Sequence, residues 1–273
     1  MNLSLARKFF QREVQQPDEQ IHLERAALYL AQEEYPELDV DTYLNALNTM
    51  AAAVEDRLPQ SFYPLKIIQT INHYLYDDLG YSGNTTDYYD PRNSFLNDVI
   101  DRRTGIPITL SLVYLAIARR IGLPMVGINM PGHFLIRPDI EPMEIFVDPF
   151  HQGEILFLQD CQERLIQVYG HPVELQPEFL AAIGVRHYLA RMLTNLKVIY
   201  ITRGDLLKAL AAITRILLIF PNAPVERRDR GVIFYHLDRL ADAQQDLEAY
   251  LALQPDAADA IAIQNLLQKI RER

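Results

Sequence analysis

The chain has 273 residues, of which 49% are apolar and 23% charged, and this composition predicts a packed globular protein with room for more than one domain. Its single cysteine, Cys161, excludes an intramolecular disulfide and a cysteine-based zinc site. The net charge of −10 disfavours nucleic-acid backbones and anionic membrane surfaces as partners, because like charges repel.

The first 20 residues do not have the pattern of a secretory signal peptide. They lack an apolar stretch of secretory length, and charged residues interrupt them from Arg7 onward. The longest apolar stretches, such as 213–220, are well short of the roughly 20 residues that span a membrane. We therefore expect a cytoplasmic protein that does not enter a membrane.

The first region, residues 1–93, is predicted to be helical. One apolar face follows Asp39 and Asp41, either of which can cap that helix. A second helix is predicted to start at Ser61 and to stop at Gly80. The segment 81–93 is polar and without period, which predicts a loop. The two predicted apolar faces consist of Leu44, Leu47, Ala51, Val54 and Leu58, and of Ile68, Ile71, Leu75 and Leu79.

The second region, residues 94–180, is predicted to combine helices with a small antiparallel sheet, an α+β arrangement. After a short helix over 94–101, Pro107 stands at the first turn of a new helix that runs to about Ile121. Turns containing proline separate the strand-like runs that follow. These runs are Met125–Met130, His133–Arg137 and Glu144–Val147.

The third region, residues 181–273, repeats itself with a period of 34 residues. Gly204 and Asp238 hold the same position between the two predicted helices of each unit. An aromatic, a small residue and a closing proline at fixed positions are typical of tetratricopeptide hairpins. We expect a short array of these hairpins, closed by a helix within 256–273. The matched residues are Tyr200, Ala209 and Pro221, and Phe234, Ala243 and Pro255.

The motifs of the second region resemble a known fold. Gly105-Ile106-Pro107 opens the central helix and Gly122-Leu123-Pro124 closes it, followed by His133 and Asp148. In transglutaminase-like folds a Gly-x-Cys opens this helix, one strand begins with His and a later strand ends with Asp. More widely, the chain resembles the SirB family, which joins a transglutaminase-like core to a tetratricopeptide tail. The segments similar to that family are 33–39, 103–107 and 131–134.

One position departs from this resemblance. Pro107 stands where transglutaminase-like folds carry their cysteine nucleophile, and proline has no nucleophilic atom. The resemblance therefore implies the fold without the activity. We interpret His133 and Asp148 as a structural pair in which His133 donates a hydrogen bond to Asp148. The carboxylate is expected to raise the pKa of His133 unless burial outweighs it.

Other residues are weak candidates for the chemistry. Ser111 shares a helix face with position 107 but lies about 6 Å along the axis, so we expect a packing residue bonded to the preceding turn. Cys161 has no nearby base in sequence and is expected to be a buried, inert thiol. His133, Asp148 and His151 match no metal motif, and no phosphate loop or dinucleotide fingerprint is present. We expect neither a metal nor a cofactor.

The first helices of the repeats are predicted to line a groove that includes Arg191, Val198, Arg228 and Tyr235. Arginines mixed with apolar side chains suit an amphipathic helix or an acidic peptide. The alternative is that this face packs against the rest of the protein.

We therefore predict a non-catalytic transglutaminase-like scaffold that acts as an adaptor or regulatory binding protein. The first alternative is a hydrolase or acyl-transferase that uses His133 and Asp148 with an unidentified nucleophile. A further alternative is a peptide or amino-acyl ligand in the cleft beside His133.

Overall fold

The computed structural model describes residues 5–58 and 63–273, and it divides into two compact units, Met1–Tyr188 and Leu189–Arg273. None of the helices in the described residues is long and apolar enough to cross a membrane. The helices are α1 Leu5–Val14, α2 Leu23–Gln32, α3 Val40–Glu55, α4 Pro64–Asn72, α5 Leu96–Arg102, α6 Pro107–Arg120, α7 Leu158–Tyr169, α8 Val185–Thr202, α9 Leu206–Ile219, α10 Pro224–His236, α11 Leu240–Leu253 and α12 Ala260–Arg271. The strands are β1 Ser82–Gly83, β2 Thr104–Gly105, β3 Met125–Ile128, β4 Leu135–Pro138, β5 Phe146–Asp148 and β6 Glu154–Leu156.

The predicted N-terminal helices form as their periodicity indicates. Asp39 caps α3 by accepting a hydrogen bond from the Asp41 amide at 3.2 Å, and the predicted apolar face of α3 is buried. Helix α4 continues into a π-helical turn over His73–Asp78, and Gly80, with φ of +72°, ends it. The predicted start of that helix at Ser61 lies outside the described residues.

The α+β prediction for the middle of the chain is confirmed. Helix α6 is almost entirely buried and packs against β3 and β4 of a four-stranded antiparallel sheet ordered β3-β4-β5-β6. Strand β6 was not predicted. The predicted start of β4 at His133 is wrong by two residues, because Gly132 has φ of +74° and the His133 amide donates to the Met130 carbonyl at 3.0 Å. His133 thus belongs to the turn.

Segment 81–93, which was predicted to be a loop, is held by backbone and side-chain hydrogen bonds at both of its ends. Strands β1 and β2 pair in parallel, so that Ser82 lies opposite Thr104. Asn93 is fully buried, and its side-chain amide donates to the Asp87 carbonyl at 2.8 Å. The backbone carbonyl of Asn93 accepts a hydrogen bond from Thr109 Oγ1 at 2.6 Å, which joins the loop to the first turn of α6.

The second unit consists of helical hairpins, as the 34-residue period predicts. The aromatic and small residues of both repeats are buried where the helices meet, and Gly204 and Asp238 both adopt positive φ, +74° and +56°, in the turns between helices. Lys197 of α8 pairs with Glu226 and Asp229 of α10, which places these two helices side by side. Helix α12 closes the array by packing its apolar face against α11.

Candidate functional site

The first turn of α6 is where the resemblance to transglutaminase-like folds places the nucleophile. Pro107 is the first residue of the helix, where its missing amide hydrogen costs nothing because that group has no partner within a helix. Two residues on, the Thr109 hydroxyl accepts a hydrogen bond from the Ile106 amide at 3.2 Å and donates to Asn93. Thr109 therefore stabilises both the N-terminus of α6 and the loop before it.

Ser111 lies one turn deeper in α6. Its side chain is fully buried, and its Oγ has no hydrogen-bond partner among the described residues. The predicted bond to the carbonyl of the preceding turn is therefore wrong. A hydroxyl without a base within hydrogen-bond reach has no means of activation, so this geometry supports the packing interpretation.

Asp148, at the end of β5, is the centre of a polar network, and it is only 2% exposed. Its Oδ1 accepts hydrogen bonds from the amides of Phe150 at 3.0 Å and His151 at 3.3 Å, as in a helix cap. Its Oδ2 accepts from His151 Nδ1 at 2.8 Å and from Arg164 Nη1. The predicted hydrogen bond from His133 is wrong: among the described residues, His151 and Arg164 occupy this carboxylate.

Arg164 extends the network to the surface. It lies on α7 and also pairs with Glu154 of β6, whose side chain is half exposed. The turn that carries Asp148 is held from the other side, since Tyr76 donates to the Pro149 carbonyl at 3.1 Å and Asn72 to the Gly153 carbonyl at 2.7 Å. The network joins α7 to the edge of the sheet, which is a structural task.

His133 lies near this network without a side-chain hydrogen bond among the described residues. Burial lowers the pKa of its imidazole, and the positive charges of Arg164 and His151 lower the pKa further, against the opposing effect of Asp148. The pKa of His133 is therefore not raised, because burial outweighs the carboxylate, the exception that the prediction named. A lowered pKa favours the neutral form of this imidazole at pH 7.

Sequence reasoning did not single out His151 as the partner of Asp148. Its ring is oriented by a buried carboxylate, and its side chain is 51% exposed. A histidine held by a carboxylate is the arrangement of a general base with its orienting group. The signal in the sequence was the position of His151 three residues after Asp148, a spacing that is typical of a side-chain cap.

Cys161 is buried, as predicted, in an apolar cluster with residues of the sheet. Burial raises the pKa of its thiol to about 11, although the charge of Arg164 opposes this. The thiolate, which is the reactive form, is therefore scarce at neutral pH.

We predict that iodoacetamide modifies Cys161 far more slowly in the folded protein than in urea. The rise of the pKa from 9.0 to about 11 alone reduces the thiolate fraction about a hundredfold at pH 8. Mass spectrometry of timed samples measures the rate, with free cysteine as the reference thiol. A native rate close to the rate in urea would contradict the buried position.

Two cavities of the first unit lie away from these residues. A cavity of about 660 Å³ beside β4 and α7, and one of about 580 Å³ beside α6 and β3, are lined by residues other than His133, Asp148 and Ser111. No group of three or more His, Cys, Asp or Glu side chains that could hold a metal ion occurs in the described part of the chain.

Two residues of the predicted partner groove are engaged within the second unit. Arg228 pairs with Asp229 at 2.7 Å and with Asp259 at 2.9 Å. The ring of Tyr235 packs against the buried cluster of α11 and α12, and the Arg273 guanidinium lies 5.3 Å from its centroid. These contacts indicate that the side chains of Arg228 and Tyr235 stabilise the helical array.

Arg191 and Val198 of the predicted groove are exposed, as are two apolar residues of the same face, Ile201 and Val225. Val198 is 47% exposed, and Ile201 and Val225 are exposed to a similar degree, while Arg191 lies on the exposed side of α8. We call Arg191, Val198, Ile201 and Val225 the apolar strip. Since Lys197 joins α8 to α10, the strip spans two neighbouring helices of the array.

Comparisons with known proteins agree with this architecture. The transglutaminase-like superfamily matches residues 41–194, and a tetratricopeptide repeat family matches 196–268. A UPF0162 protein of Xylella fastidiosa is 37% identical over 87% of this chain and 86% of its own length, and one of Pseudomonas aeruginosa is 28% identical over 87% of each. F-box only protein 21 of Homo sapiens is 34% identical over 48% of this chain and 21% of its own length.

The matched region of the superfamily begins within α3 and includes all six strands and α6. The repeat match begins within the second half of α8, at residue 196, and covers the hairpins that follow it. The resemblance drawn from the motifs around Pro107, His133 and Asp148 is thereby confirmed. The chain belongs to the SirB-type UPF0162 family, a branch of the transglutaminase-like superfamily that carries tetratricopeptide repeats.

Proposed function

We propose that this protein is a non-catalytic transglutaminase-like scaffold, an adaptor or regulatory protein that binds a peptide or protein partner through its tetratricopeptide unit. The observation that carries this proposal is Pro107 at the position where transglutaminase-like folds carry their nucleophile. The two hydroxyls in the first half of α6 are not placed to act as the nucleophile instead of a cysteine thiol. Ser111 is buried, and the Thr109 hydroxyl donates to the Asn93 carbonyl.

The polar network around Asp148 supports the same function. In an acyl-transfer site the carboxylate orients the histidine that activates the nucleophile. Here Asp148 accepts from two backbone amides, from His151 and from Arg164. All four contacts of the Asp148 carboxylate lie within its own turn and α7. These contacts support a role for Asp148 in stabilising the fold.

The apolar strip is the surface we propose for the partner. Exposed Val198, Ile201 and Val225 offer apolar contacts, and Arg191 adds a positive charge. An amphipathic helix with apolar residues at helical spacing and a nearby acidic residue complements this surface. Tetratricopeptide repeats commonly present such faces for protein interaction.

Selection of a helical peptide library on the purified protein tests this surface. Peptides selected by the wild type should bind Val198→Asp about tenfold or more weakly, because a charge in an apolar contact must be desolvated without a partner. Leu207→Asp is the matched control, since Leu207 is 68% exposed on α9. Equal affinities for both variants would place the binding surface elsewhere.

The His151–Asp148 contact makes an enzyme of altered chemistry the second candidate, with His151 rather than His133 as the base. Assays of amine incorporation and of peptide and ester hydrolysis compare the wild type with His151→Ala and His133→Ala. The scaffold proposal expects no turnover that depends on either histidine. Turnover that disappears in a folded variant would make the protein an enzyme.

A further inference from the structure

An apolar cavity of about 580 Å³ lies in the first unit, between the start of α2, the second half of α6 and strand β3. Its wall includes Leu23, Leu112, Leu115, Leu123 and Val126. This volume and this apolar lining are typical of small-molecule sites. The cavity is separate from the first turn of α6, where transglutaminase-like folds carry their nucleophile.

A smaller basic cavity of about 230 Å³ adjoins it, since Glu24 and Arg119 line both. Arg25 and Arg120 also line it. Three guanidinium groups stand against the Glu24 carboxylate here and against Asp139 in the wall of the larger cavity, which leaves one positive charge in excess. In a chain of net charge −10, this is a local reversal of sign.

The ion pairs of this cavity leave a guanidinium available. Glu24 is buried, and its Oε1 accepts from Arg119 Nη2 at 2.5 Å and from Arg120 Nη1 at 2.7 Å. Arg25 makes no ion pair within the described residues, and the Arg119 side chain is 57% exposed. Both arginines can therefore donate to an incoming anion.

We propose that the two cavities together bind a long-chain carboxylate. The alkyl chain fills the apolar cavity, where each buried methylene adds to the free energy of binding. The carboxylate accepts hydrogen bonds from Arg25 and Arg119, which suit the planar geometry of a carboxylate. An apolar body with one anionic end is the ligand chemistry that matches an apolar wall beside an excess of positive charge.

Calorimetric titration with dodecanoate, below its critical micelle concentration, tests the site on the full chain. Wild-type protein should bind one molecule, and butanoate or dodecyltrimethylammonium should bind at least about tenfold more weakly. The first comparison removes most of the chain, and the second reverses the charge of the head.

Three variants locate the ligand. Arg25→Gln removes one donor without breaking an ion pair and should weaken dodecanoate binding about tenfold. Leu115→Gln places an amide in the apolar wall and should weaken binding by a similar factor. Arg12→Gln, an exposed position on α1 with the same change in charge, should leave affinity unchanged.

The proposal is overturned if dodecanoate shows no saturable binding, if dodecyltrimethylammonium binds equally well, or if Arg25→Gln behaves like Arg12→Gln. Should Leu115→Gln fail to fold by circular dichroism, the two arginine variants still decide. The outcome is independent of the proposed scaffold function, which rests on Pro107 and on the apolar strip.

Discussion

Replacing Asp148 with alanine is expected to lower the free energy of unfolding by about 3–5 kcal/mol, the cost of leaving a charge without its partner in a buried site. The variant leaves Arg164 with Glu154 as its remaining carboxylate partner and removes the acceptor for two backbone amides and for His151. Urea unfolding of the full chain, followed by circular dichroism, measures the change.

His133→Ala is the control, and it should cost less than about 1 kcal/mol, because the imidazole makes no side-chain hydrogen bond among the described residues. Combining Asp148→Ala with Arg164→Met should cost less than the sum of the single changes, since neither charge is then left alone. Equal effects of Asp148→Ala and His133→Ala would return the histidine to the role predicted from sequence.

Glu24→Gln is expected to cost about 2–3 kcal/mol at pH 7, because the buried carboxylate holds Arg119 and Arg120 together. The exposure of Arg119 keeps the cost below that of a fully buried pair. Burial by itself would raise the pKa of Glu24, yet its backbone hydrogen bond and the two arginines lower it overall.

The lowered pKa of Glu24 determines how its contribution to stability changes with pH. A carboxyl whose folded pKa lies below its unfolded value of 4.5 contributes stability that is complete above 4.5 and is lost as pH falls through the folded value. The stability difference between wild type and Glu24→Gln should therefore shrink between about pH 5 and pH 3.

Urea midpoints at several pH values measure that difference. Glu37→Gln, an exposed position without a side-chain bond among the described residues, serves as the control and should track the wild type. A difference between wild type and Glu24→Gln that stays constant down to pH 3 would contradict an ionised Glu24 held by the two arginines.

Local sequence patterns predicted most of the helices. Asp39 before an apolar period identified α3, and the 34-residue period placed Gly204 and Asp238 in equivalent turns. A helix is stabilised by residues three or four positions apart, so its period is visible in a short window. Pro107 at the start of α6 follows from the same local rule.

The strands and the loop before α6 were predicted less well. β6 was missed, and segment 81–93 was taken for a loop although Asn93 is buried and bonded to Thr109. Strand pairs and buried loops depend on partners many residues away, which no local window contains.

The sequence by itself determined the family, the proline at the start of α6 and the hairpins of the second unit, because each rests on residue identity or on a fixed period. Only the tertiary structure decided which donors reach Asp148, and it favoured Arg164 of α7 and the neighbouring His151 over His133. A buried carboxylate bonds the donors that packing brings within about 3 Å, and that distance depends on the whole fold.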